Sequence, residues 1–327
     1  MNFERVQAVA DAILYEGYAL YPYRASARKN QLRWQFGALL PPAYCALNPS
    51  ETSSAQTECV VEAWPESRLH VRARFLQLEA RRIEAATVEG EFMPAQQLAV
   101  DDALYVSWDE GIEQRVDATA TLAALATSPL ALPVELPGDS AQTLLRSRGG
   151  RVVGRLTRER RPLTGFLTVR AAWVADSPWA AKVTVRLENV TPWRPEGKAD
   201  RAEASLFAFL GVHFLLGVEG GGFVSAIDPP PWASAAVGTC INQHLWPVLV
   251  GQPGTRDMML AAPIILYDYP QGAPESPQHL YDGTEIDELL IWRTLLLTDE
   301  EKREARATDP RIAALLDLLE SLPPADL

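Results

Sequence analysis

Apolar residues recur at helical spacing where the chain begins. Phe3, Val6, Ala10, Ile13 and Leu14 share a stripe and Gly17 stands as a C-cap, so Phe3–Glu16 is predicted to be an amphipathic helix. After a polar loop at Asn48–Thr57 the period changes to two. Leu69, Val71, Ala73 and Phe75 alternate with His70, Arg72 and Arg74, and Leu104, Val106 and Trp108 flank Tyr105 and Ser107, the pattern of strands with one wet face. The proline- and glycine-rich stretch 129–150 is read as a connector. Three runs follow at Arg151–Thr157, Leu163–Ala175 and Ala180–Val190, with turns at Arg158–Pro162 and Asp176–Pro178. They predict an antiparallel meander in which Val183, Val185 and Leu187 are buried while Lys182, Thr184 and Arg186 are wet.

The final third is patterned differently. Asp200–Leu216 suits a buried helix, and the glycine run Glu219–Gly222 suits a tight turn leaving it. Trp232–His244 is a candidate second helix, and Met258–Tyr267 is an apolar run of strand length. Thr298 and Glu301 have capping-box spacing, and Asp309-Pro310 opens a last helix striped by Ile312, Leu315, Leu316 and Leu319. The expected fold is α+β: residues 1–57 with the N-terminal helix and a basic–aromatic segment, 58–195 as an antiparallel, sandwich-like β region, and 196–327 as a helix-rich part. At 327 residues the chain is long enough for two cores.

Composition narrows the function classes. Apolar residues at 47% and charged residues at 22% are the mix of a folded domain. A net charge of −12 repels phosphate backbones and anionic lipid, so neither nucleic acid nor a membrane is an expected partner. Glu4, Asp11 and Glu16 interrupt what would be a signal peptide's apolar stretch, and no apolar run reaches bilayer length, so a cytoplasmic location is expected. Cys45, Cys59 and Cys240 have no CxxC spacing, so neither a disulfide framework nor a zinc ribbon is predicted, and no metal or cofactor is expected.

Candidate chemistry is sparse. His213, Glu219 and Asp228 are residue types that suit a metal site, but their spacing matches no metal motif, and a histidine in an apolar run is ordinarily a hydrogen-bonded core residue. Asp282, Glu285 and Glu288 lie three apart, with Asp287 beside them; carboxylates so spaced serve acid–base chemistry or favour the first turn of a helix. Cys240 and His244 would form a thiolate–imidazole pair if Trp232–His244 were helical. Tyr21–Gly37 contradicts an otherwise acidic chain. Tyr21, Tyr23, Arg24, Arg28, Lys29, Arg33 and Trp34 are candidate binding residues for an anionic ligand or a protein, and a short helix is expected from Ser26. The alternative is that these cations pair with the chain's own carboxylates.

Four stretches carry a resemblance: ILYEGYALYPYRASARKNQLRWQFGALLPPAY, VEGGGFVSAIDPP, LAAPIILYDYPQGAPES and DGTEIDELLIWRTLLLTDEEKREARATDPR. Together, from Ile13 to Arg311, they resemble a family of uncharacterised proteins encoded alongside nickel–iron hydrogenase genes. The resemblance implies a setting, the assembly, metallation or support of a hydrogenase, and brings no catalytic residues with it. The expected function is an accessory or maturation factor that binds a hydrogenase subunit or a maturation protein. A metal-dependent hydrolase or cofactor-handling enzyme and a small anionic ligand-binding module are the alternatives.

Overall fold

The period-two run around Leu69–Phe75 extends both ways into one strand of 33 residues, β1 (Ser54–Ala86). The computed structural model describes residues 3–34, 36–175, 177–195, 197, 199–271, 281 and 287–321. Ahead of β1 lie helices α1 (Gln7–Leu14) and α2 (Pro42–Leu47). After it come β2 (Phe92–Ala95), β3 (Gln97–Val100), β4 (Ala103–Val106), β5 (Trp108–Thr121) and α3 (Leu122–Thr127). The chain continues through β6 (Leu130–Leu136), β7 (Asp139–Arg146), β8 (Val152–Arg160), β9 (Leu163–Val174) and β10 (Ser177–Asn189). The last third holds α4 (Arg201–Ser205), β11 (Leu210–Phe223), α5 (Ser234–Gly238), β12 (Trp246–Leu249) and β13 (Met258–Ala262). It closes on α6 (Asp287–Leu295), α7 (Asp299–Thr308) and α8 (Pro310–Ser321).

The fold is α+β, and mostly β. β1 organises an eleven-stranded sheet with the path β12-β13-β11-β1-β10-β9-β6, while β3 and β4 pair separately. One edge of β1 pairs in turn with β10, β5 and β2, and the other with β11 and then β8, all antiparallel. Alternate residues of β1, from Ala55 and Cys59 to Ala73 and Phe75, enter a core with Val183, Val185 and Leu187 of β10 and Phe214 and Leu216 of β11. Burying each such aliphatic side chain stabilises the fold by about 1.5–3 kcal/mol. Leu76 and Leu78, beyond a register shift in β1, face a second core instead, made with Leu14, Tyr18 and Trp34 and with Ile312, Leu315, Leu316 and Leu319 of α8. Residues from all three expected segments meet there.

Several expectations hold. The expected stripe is buried at Val6, in a 3-10 turn just ahead of α1, and at Ala10, Ile13 and Leu14 of α1, and both bonds of the capping box at Thr298 and Glu301 form. Others need correction. Stretch 129–150 is largely strand, since β6 and β7 occupy it. The helix expected over Asp200–Leu216 is only the five residues of α4; from Leu210 the chain is β11, so the C-terminal part gives three strands to the sheet. Glu219–Gly222 accordingly lies within a strand and is not a turn leaving a helix. Within Trp232–His244 only Ser234–Gly238 is helical, and the helical turn after Ser26 is a 3-10 helix at Arg28–Leu32. Thr184 and Arg74, expected wet, are 6% and 1% exposed. The first donates to the buried Glu58 carboxylate at 2.9 Å, and the second meets Asp11 of α1 at 2.6 Å and Glu113 at 2.8 Å.

Candidate functional site

Of the residues proposed for catalysis, the described ones, His213, Glu219 and Asp228, do not converge. His213 sits in β11 with no exposed surface, and its Nδ1 donates to the Gly211 carbonyl at 2.9 Å. Burial, aided by the Arg74 charge, holds its pKa down at about 3, so the ring is neutral. Glu219 is six residues further along the same strand, about 20 Å away at roughly 3.3 Å per residue, and lies 3.2 Å from His70 Nε2. Asp228 is exposed in the loop after β11, where its amide donates to Ser225 Oγ at 2.9 Å. Asp282 and Glu285 lie outside the described residues. Among the described residues, no group of three His, Cys, Asp or Glu side chains is placed to hold a metal ion.

Cys240 and His244 form no dyad, because α5 ends at Gly238, before either of them. Cys240 Sγ lies 3.7 Å from the Ala236 carbonyl as its donor, and burial with Glu58 nearby pushes the thiol up to about 11.

Tyr21–Gly37 folds largely inward. Tyr23 and Trp34 are buried, at 0% and 6% exposed, and both have left-handed backbones, with φ of 63° and 64°. Such conformations persist only where the surroundings enforce them. Asn30 is the clamp: it accepts from the Leu20 amide and donates to the Leu20 and Arg24 carbonyls. Arg24 pairs with Glu301 at 3.2 Å and Glu304 at 3.9 Å, on α7. Arg33 is 6% exposed and donates to the Tyr18 and Asp109 carbonyls at 3.0 and 2.9 Å. Its guanidinium lies 3.5 Å from the Trp108 ring centroid, and burial lowers its pKa to about 10. Tyr23, Arg33 and Trp34 are therefore packing residues rather than surface anchors, and Arg24 pairs with the chain's own acids. Tyr21, half-buried, packs against the second core and edge-on to Tyr23, Lys29 is half-buried, and Arg28 is exposed.

A surface with the chemistry of a binding site lies elsewhere, where β1, β10 and β11 meet. After Ala63 opposes Gly221, β1 bulges through residues 64–67 before Arg68 resumes pairing with Glu219. β10 is irregular at the same level, between Ser177 and Ala181. Bulges re-aim side chains, and here Trp64 and Trp179 stand 59% and 45% exposed. Ser67 fixes the bulge by accepting from the Trp64 amide at 3.0 Å and donating to the Gly220 carbonyl at 2.6 Å. Gly220–Gly222 of β11 line the same groove as the two tryptophans. At Gly221 a Cβ would approach the Glu62 carbonyl to 2.4 Å, so the position demands glycine. Two ion pairs rim this groove of about 810 Å³, Arg256 with Glu62 at 2.6 Å and Arg5 with Asp257 at 2.5 Å.

Trp64, Trp179, Arg5 and Arg256 belong to no motif in the sequence. One signal was present: Trp64-Pro65 interrupts a long alternating run, and a proline inside a strand marks a bulge or an edge. No protein-family model matches the chain, and no curated protein matches it significantly. None of the described helices is long and apolar enough to cross a membrane.

Proposed function

We propose that this chain is a non-catalytic accessory protein that works by binding another protein, in the setting its sequence resemblance implies, the assembly of a nickel–iron hydrogenase. The observation that carries the reading is the groove between Trp64 and Trp179, which two half-exposed tryptophans and two arginines line together with Gly220–Gly222. Tryptophan and arginine supply most of the energy in protein interfaces, and exposed aromatic faces suit an inserted loop or strand. The ion pairs at the rim are exposed, so they contribute little stability and serve as orienting polar contacts. The enzyme alternative draws on His213, Glu219 and Asp228, which stand apart, and on Asp282 and Glu285, which lie outside the described residues.

The test is direct titration of purified hydrogenase subunits and maturation proteins onto the immobilised chain and its Trp64→Ala/Trp179→Ala variant. At least one partner should bind the parent chain, and the variant should bind it at least tenfold more weakly with an unchanged melting temperature. No binding by any partner, or equal affinity for parent and variant, refutes the proposal.

A further inference from the structure

Arginines concentrate in a second concavity, a cleft of about 950 Å³ between the inner wall of Tyr21–Gly37 and the strands β1, β5 and β8. Arg33, Arg82, Arg155 and Arg201 line it together with Glu84, Asp109 and Asp200, and Arg201 pairs with Glu51 at 2.7 Å. Arg33 spends its hydrogen bonds on carbonyls, so no hydrogen-bonded carboxylate neutralises its charge. Arg82 pairs with Asp109 through Nη1 at 2.5 Å, and Arg155 pairs with Glu84 through Nε at 2.5 Å. Among the described residues, Arg82 Nε and Nη2 and both terminal nitrogens of Arg155 make no hydrogen bond. A second observation is independent of charge. Trp108, 5% exposed, lines the same cleft, and its Nε1 is a buried donor with no partner.

We infer that this cleft binds a small molecule carrying an oxyanion, a phosphate or a carboxylate, next to an apolar group. The forked donors of Arg82 and Arg155 match the oxygens of such a group. Pro94 lines the same cleft as exposed apolar surface for the remainder of the molecule. The site is separate from the Trp64–Trp179 groove, and each reading stands without the other.

Isothermal titration with phenyl phosphate and with phenylacetate separates the two sources of the oxyanion, and inorganic phosphate reports what the apolar group adds. At least one aromatic probe should bind with a Kd below about 1 mM, a few kcal/mol of affinity, and more tightly than inorganic phosphate. Arg155→Gln should weaken it at least tenfold. Gln142→Glu, which places a repelling charge in the cleft while leaving every ion pair intact, should do the same and decides the matter should Arg155→Gln fail to fold. Trp64→Ala should change nothing. Absence of binding by both aromatic probes, or undiminished binding to Gln142→Glu, overturns the inference.

Discussion

Lowering the pH from 7 to 5 should destabilise this protein through one residue, His213. In the fold the imidazole has no exposed surface and stays neutral, its pKa held at about 3 by burial and the nearby Arg74. In the unfolded chain it takes up a proton near pH 6.5, the ordinary value for histidine. Below that pH the unfolded state binds the additional proton, so stability falls as pH falls; the loss begins near 6.5 and is complete near 3. At about 1.4 kcal/mol per pH unit below 6.5, the loss between pH 7 and pH 5 is about 2 kcal/mol. The perturbation is His213→Gln, whose amide retains a donor for the Gly211 carbonyl and does not titrate. Urea unfolding of both proteins at pH 7 and pH 5 gives the comparison. The parent should lose about 2 kcal/mol more than the variant. Equal losses would mean that His213 titrates in the fold, and its description as a neutral core residue would be wrong.

Two further predictions follow from the same packing. Arg24→Ala/Arg33→Ala should lower stability by about 3 kcal/mol or more, because it strips α7 of a partner and leaves two buried carbonyls and the Trp108 face uncovered, while the affinity for a protein partner stays unchanged. Lost binding with an unchanged melting temperature would restore this segment as an interface. In β10, Val185→Asp should cost more than about 3 kcal/mol by burying an unpaired carboxylate, and Thr184→Val about 1 kcal/mol by breaking the bond to Glu58. Equal denaturant midpoints for the two variants would contradict the assigned faces.

What was legible in the sequence was local. The capping box at Thr298 and the stripes of α1 and α8 are read within one or two turns, and the alternation of β1 is set by its own side chains. β11 was hidden because it is apolar on both faces: Phe214 and Leu216 enter the main core, while Leu215 packs with Val248 and Leu260. A strand covered on both sides loses its period of two and resembles a buried helix. β6 was masked by Pro133, which an end strand tolerates because it lacks a neighbour on one side. The inward turn of Tyr21–Gly37 depends on Glu301 and Glu304, nearly the length of the chain away, which no local pattern reveals. Trp64 and Trp179 come to line one groove with Gly220–Gly222 only once β1, β10 and β11 are paired.

The central claim is that the groove between Trp64 and Trp179 is where a protein partner binds. Hydrogen–deuterium exchange of the chain, alone and with each candidate hydrogenase subunit or maturation protein in excess, tests this most directly. The account predicts slowed exchange at residues 62–67, 219–223 and 255–257, with residues 21–37 unchanged. Protection confined to 21–37, with the groove exchanging as freely as before, would contradict it.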